Sequence, residues 1–185
     1  QGEGPSLGRP STFIRLPRCN LACHWCDTAY TWRFEGDNRP HKDGLAFDRQ
    51  ANQVSMHEEE TAALITALSP NRLVITGGEP LLQGAALARL VALLPDMHVE
   101  PHAKLDGLVH QYNVSPKLAH SGNPADLALV PERLSQWAAD SRAFFKFVVT
   151  DTGSVDEVLA LQSLYHIPSD RIFLVAEGRS PAELH

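Results

Sequence analysis

The chain has 185 residues, 43% of them hydrophobic, and a formal net charge of −6, which suits one compact domain with a substantial core. An acidic balance without any Lys/Arg run excludes nucleic-acid binding by phosphate neutralisation. No apolar window reaches membrane-spanning length and no signal-peptide pattern is recognised, so the expectation is small-molecule chemistry in the cytoplasm.

Residues 11–16, Ser-Thr-Phe-Ile-Arg-Leu, read as a short strand halted by Pro17. It leads straight into Cys19-Asn20-Leu21-Ala22-Cys23-His24-Trp25-Cys26, which holds every cysteine of the chain. Residues 33–54 are polar and read as a surface insertion. A helix is predicted over 57–68, with Glu58, Glu59 and Glu60 at its positive end and Ala62, Leu64, Ile65 and Leu68 as its apolar stripe. A strand over 72–76 ends at Gly77-Gly78-Glu79-Pro80. A helix over 85–94 and strands over 97–100 and 110–114 follow, the last ending at Ser115-Pro116-Lys117. A helix at 132–139, a strand at 144–149, a helix at 155–165 and a strand at 171–175 complete the chain. Trp137 is expected to pack on the core, and His102, His110 and His120 to have solvated or capping roles.

Six strands alternating with helices predict an α/β fold with a mostly parallel sheet, either open or curled into a partial barrel. There is no internal repeat and no domain boundary, so residues 1–185 read as a single domain. Chemistry in parallel α/β folds gathers beyond the carboxyl ends of strands. The cysteine loop, Gly77-Gly78-Glu79-Pro80 and Ser115-Pro116-Lys117 all follow strands, which predicts one shared site.

Three cysteines so close together make a poor disulfide framework and point to a reduced metal site. Thiolates suit an iron–sulfur cluster, and three ligands leave one iron of a cubane open to chelate a methionine-type ligand. Structural zinc with His24 as fourth ligand, or three buried free thiols, are the plainer alternatives.

At these residues the chain resembles the radical S-adenosylmethionine superfamily. Gln1-Gly2-Glu3-Gly4, Phe13-Ile14-Arg15-Leu16, the cysteine loop with Asp27-Thr28, Tyr30 with Trp32, Thr76-Gly77-Gly78-Glu79-Pro80 and Asn113-Val114-Ser115-Pro116-Lys117-Leu118 resemble the 7-carboxy-7-deazaguanine synthase family. The resemblance implies a partial (β/α)6 barrel of the radical S-adenosylmethionine type, with trimmed helices. It implies a carbon–nitrogen lyase that contracts the ring of 6-carboxy-5,6,7,8-tetrahydropterin and releases ammonia, for queuosine and other 7-deazapurines. Its cofactors would be a [4Fe–4S] cluster, S-adenosylmethionine and Mg2+, with the 5′-deoxyadenosyl radical taking a hydrogen atom from the substrate. An electron donor such as flavodoxin would reduce the cluster, and the chain would form a homodimer.

Carried over residue by residue, the resemblance gives Cys19, Cys23 and Cys26 to the cluster and Thr28 to magnesium. It gives Trp25, Cys26, Asp27, Gly78, Glu79, Ser115, Pro116, Lys117, Val175, Ala176, Glu177 and Gly178 to S-adenosylmethionine. Gln1, Gly2, Arg15 and Thr76 would bind substrate, Arg15 at its carboxylate; no general acid or base is assigned. Three departures stand out. Ala176 replaces a proline common in the family, Pro101-His102 follows Glu100 where the family carries a Thr-Asn-Gly-Thr-like stretch, and the chain stops at His185. Segments at the N terminus, in that internal loop and at the C terminus are therefore expected to be missing. Without Asp27-Thr28 and Arg15, a glycyl-radical activase or a non-catalytic iron–sulfur module would fit the cysteines as well.

Overall fold

The computed structural model describes residues 4–94, 97–100, 108–178, 180 and 182, with the backbone alone at 99 and 100. The chain divides into two compact units. The first takes the chain up to Asn20, then Thr28–Arg39 and Leu45–Tyr112; the second takes Leu21–Asp27, Pro40–Gly44 and the chain from Asn113.

In the first unit β1 (Thr12–Leu16), β2 (Arg72–Gly77) and β3 (His98–Glu100) form a parallel sheet with β2 in the centre. Leu73, Val74 and Ile75 of β2 are all buried, because a central parallel strand is covered on both faces and so reads as a continuous apolar run. The unit also holds α1 (Arg49–Asn52), α2 (Glu58–Thr66) and α3 (Gly84–Ala92). Helix α3 buries Leu87, Leu90 and Val91, and its Arg89 pairs with Glu58 at the start of α2. The predicted stripe of α2 is only half right: Ala62 and Ile65 are buried, whereas Leu64 and Leu68 are exposed.

The second unit contains most of β4 (Tyr112–Val114), with β5 (Ala143–Val149) and β6 (Ile172–Ala176), in the order β4-β5-β6. Strands β5 and β6 run parallel, with Phe145 opposite Ile172 and Phe147 opposite Leu174. Its helices are α4 (Ala125–Ala128), α5 (Pro131–Ala139) and α6 (Thr152–Tyr165). Asp151 caps α6 by accepting from the Ser154 N–H at 2.8 Å, satisfying one of the donors a helix start leaves open. Arg171 donates to the carbonyls of Ala138, Asp140 and Ala143 and so ties the end of α5 to the start of β5. Phe145 and Phe147 are completely buried, and Leu134, Val158, Leu161 and Ile167 join them in the core.

All six predicted strands are present in chain order, within two residues at each end. Among the described residues they pair as two sheets of three, neither closed on itself, rather than as one sheet of six. The segment 33–54 is not simply a polar surface insertion. It buries Phe34, which bridges to Phe47 and lies under the Arg49 guanidinium at 4.3 Å. One or two aromatic anchors are enough to seat such a segment, and they leave no periodic trace in the sequence. His110 is likewise more than a solvated residue: it stacks on His98 at 4.2 Å. Burial pushes the His98 pKa down to about 4, helped by Arg72, His110 and Arg9.

Candidate functional site

Arg15 and Thr76 are register partners across β1 and β2, followed by Leu16 opposite Gly77. Partners in a parallel ladder project to the same face of the sheet, so the two predicted substrate residues stand side by side at the carboxyl ends of their strands. The ladder continues past the strands, with Gly78 N–H donating to Leu16 O at 3.0 Å and Glu79 N–H to Arg18 O at 2.8 Å. Gly77 has φ 139°, and a Cβ there would collide with the backbone of Leu16. A Cβ on Gly78 would collide with the Arg18 carbonyl and lie 3.1 Å from Cys19 Cβ. The glycine pair therefore exists to let the start of the cysteine loop lie flat against the end of β2. Arg18 itself takes a left-handed conformation, φ 76°, and its N–H donates to Thr31 O at 2.8 Å.

Cys19 is half-buried, and its carbonyl accepts from Arg39 Nη1 at 3.0 Å. Arg39 is held in turn by Asp37 through its Nε and Nη2, and by the Trp32 ring 4.5 Å below its guanidinium. Hydrogen bonding from Arg39 keeps the Asp37 carboxyl below its usual range. Glu79, given by the resemblance to S-adenosylmethionine, here accepts from the Leu81 N–H at 2.9 Å and caps the 3-10 turn Pro80–Gln83. Thr28 is half-buried and begins the 3-10 turn Ala29–Thr31, its carbonyl accepting from both the N–H and the hydroxyl of Thr31.

In the second unit Cys23 is buried and Cys26 half-buried, joined by a turn in which Cys26 N–H donates to Cys23 O at 3.1 Å. Asn123 accepts from the Ala22 N–H at 2.8 Å and donates to Cys23 Sγ at 3.3 Å. The fully buried Ser121 accepts the His24 N–H through its carbonyl at 2.9 Å. His41 Nε2–H donates to the Cys26 carbonyl at 2.8 Å, and its Nδ1 lies 3.3 Å from the Asp43 N–H. Burial pushes the Cys23 thiol up, and Lys117 and the Asn123 hydrogen bond oppose that rise. Lys117 Nζ donates to both oxygens of Ser115 at 2.7 Å, and Pro116 between them is buried.

Trp25 stacks on His120 at 5.8 Å, a contact additional to the solvated or capping role expected of that histidine. Asp27 is exposed. Val175 and Ala176 end β6 exposed to solvent, and Glu177 continues the ladder through its N–H to Val149 O while pairing with Lys42 at 3.2 Å. Gly178 follows, half-buried. Gln1 and Gly2 lie outside the described residues, as does His102.

None of the three cysteines forms a disulfide. Among the described residues no group of three His, Cys, Asp or Glu side chains is arranged to hold a single metal ion. Three cysteines within eight positions, none in a disulfide, with an amide donor to Cys23 and the charge of Lys117 acting on it, fit thiolate ligation of a cluster. Residues 1–103 match the family model described as a 4Fe-4S single cluster domain. The chain is also 37% identical to the 7-carboxy-7-deazaguanine synthase of Pyrobaculum aerophilum, over 99% of its own length and 78% of that protein.

The chain belongs to the 7-carboxy-7-deazaguanine synthase family.

Family members from Hyperthermus butylicus and Halobacterium salinarum are each 32% identical, over 95% and 100% of this chain and 72% and 76% of theirs. The crystal structure of QueE from Escherichia coli resembles the fold with a TM-score of 0.64 at 24% identity, covering 99% of this chain and 81% of that one. Seen as a member of the 7-carboxy-7-deazaguanine synthase family, the chain has supporting residues that its motifs did not announce. Arg39, His41, Ser121 and Asn123 hold the backbone or sulfur of the cysteine loop, each within its own unit. Their only sequence signal is the turn composition of Ser121-Gly122-Asn123-Pro124.

Proposed function

We propose that this chain is a 7-carboxy-7-deazaguanine synthase: a radical S-adenosylmethionine enzyme and carbon–nitrogen lyase that converts 6-carboxy-5,6,7,8-tetrahydropterin to 7-carboxy-7-deazaguanine with release of ammonia. The observation that carries this reading beyond a generic iron–sulfur protein is the register pairing of Arg15 with Thr76. It sets a planar cation for a carboxylate beside a hydroxyl, at the two strand ends from which the cysteine loop and the glycine pair depart.

Cys19, Cys23 and Cys26 would hold the [4Fe–4S] cluster. When bound, the cluster supplies the electron that breaks a carbon–sulfur bond of S-adenosylmethionine and thereby the radical that starts the rearrangement. Arg15 would anchor the substrate carboxylate and Thr76 would contact the substrate beside it, with Gln1 and Gly2 at the pterin edge. Trp25, Cys26, Asp27, Gly78, Glu79, Ser115, Pro116, Lys117 and residues 175–178 would contact S-adenosylmethionine. Thr28 would offer its hydroxyl to Mg2+, which takes oxygen ligands and keeps most of its own waters.

The same proposal includes a single-domain partial (β/α)6 barrel, for which the likeness to QueE over nearly the whole chain is the support. It also includes a homodimer, a flavodoxin-type electron donor and a cytoplasmic location in a 7-deazapurine pathway. Among the described residues no helix is long and apolar enough to cross a membrane.

The decisive experiment is anaerobic reconstitution, then incubation with the carboxypterin, S-adenosylmethionine, Mg2+ and a reductant, with product read by mass spectrometry. Formation of the carboxydeazaguanine is the expected result. An intact cluster with no product would overturn the assignment. Thr28→Ala is expected to keep the cluster and lose the response of turnover to Mg2+; loss of the cluster would show a structural role instead.

A further inference from the structure

Asn123 follows Gly122, whose left-handed conformation (φ 74°) turns the chain after the buried Ser121. The orientation of the Asn123 amide is fixed by its neighbours. The Ala22 N–H can only donate, so the atom 2.8 Å from it must be Oδ1. The amide nitrogen then faces Cys23 Sγ at 3.3 Å and Ser121 Oγ at 3.1 Å. One side chain thus grips the residue before the cysteine and donates to the cysteine sulfur.

We propose that Asn123 is a positioning residue for the iron–sulfur cluster: it holds Cys23 in place through Ala22, and its N–H···S hydrogen bond raises the cluster's reduction potential. The inference rests on the cluster reading above and goes beyond it. A thiolate-ligated cluster becomes more negative on reduction, so a donor on a ligand sulfur stabilises the reduced form more than the oxidised one. A neutral amide achieves this without adding a charge.

Asn123→Asp separates the two roles. It keeps an oxygen acceptor for the Ala22 N–H and replaces the donor to sulfur with a carboxylate oxygen. The full chain is reconstituted anaerobically, its iron and sulfide are counted, and a redox titration followed by electron paramagnetic resonance is run without S-adenosylmethionine. The expected result is wild-type iron content with the midpoint shifted to lower potential, and a shift in the same direction for the uncharged Asn123→Ala; a shift in Asn123→Asp alone, which its added carboxylate charge would produce, overturns the donor role. A wild-type cluster whose potential is unmoved by Asn123→Asp overturns this inference alone. A wild-type chain that assembles no cluster overturns the function reading and this inference with it. Should Asn123→Asp assemble no cluster, Asn123→Ala is read in its place: a lowered potential supports the inference and an unchanged one overturns it. Cluster loss from both variants, with circular dichroism matching wild type, supports the holding role. Loss of the fold in both overturns any role specific to the cluster.

Discussion

Cys19 and Cys23 are four positions apart in the chain, yet they are secured by different means. In the first unit, the carbonyl of Cys19 is taken by Arg39, itself locked by Asp37 and Trp32, and the backbone just before it rests on Gly78. In the second unit Asn123 reaches the sulfur of Cys23 as well as the neighbouring backbone. Arg39 here fixes the path of the chain, whereas at Cys23 an amide donates to the sulfur itself and the charge of Lys117 acts on the same thiol.

Substitutions can break or sharpen this contrast. The largest effect is expected from Cys23→Ala, which should abolish cluster assembly as measured by iron content; retained assembly would refute ligation by three cysteines. Next comes Gly78→Ala. Its methyl group meets the Arg18 carbonyl, which belongs to the backbone and cannot swing aside, so a cost of about 3 kcal/mol is expected. In a chain of this size that lowers the melting temperature by about 6–12 °C; an unchanged melting temperature would show that the Arg18 backbone yields.

Arg39→Ala should be milder. It removes a partly exposed ion pair and one hydrogen bond to Cys19 O, a loss of about 1 kcal/mol. Cluster content is expected to survive, because the guanidinium holds the Cys19 carbonyl rather than supplying a ligand; loss of iron from a folded Arg39→Ala chain would show that the path of the Cys19 backbone decides assembly. The smallest effect is a pH dependence that belongs to neither cysteine. His98 binds its proton near pH 4 when folded, against 6.5 for the free group. Its contribution is therefore complete above about pH 6.5 and is lost as pH falls toward 4. Because the ring is partly in water, about 1 kcal/mol is expected, read as the difference between wild type and His98→Gln in chemical denaturation at pH 7 and pH 4.5. An identical pH dependence in the two proteins would rule His98 out as its source.

The strands were legible because β-branched and aromatic runs such as Leu73-Val74-Ile75 and Phe144–Val149 carry their own signal. The cysteines, the glycine pair and Ser115-Pro116-Lys117 were legible as motifs. The 3-10 turns at Ala29–Thr31 and Ala119–Ser121 were not, because a single turn has no period to detect. Nor were Arg39, His41 and Asn123, which act on backbone carbonyls, an amide and a sulfur from distant points in the sequence. A hydrogen bond that spans a hundred residues of chain has no local pattern. The same holds for Arg15 and Thr76: the motifs marked each of them, but only the register made them neighbours.

The close approach of Arg18 to Gly78 also inverts the usual map of mutational tolerance. Around a reactive loop the variable positions are expected to be the bare backbone and the fixed ones the charged side chains. At this crossing the reverse holds. Arg18 adopts a left-handed backbone that glycine would occupy without strain, so a saturation library should accept glycine there and keep a folded chain. Gly77 and Gly78, which carry no functional group at all, should come through such a library unchanged.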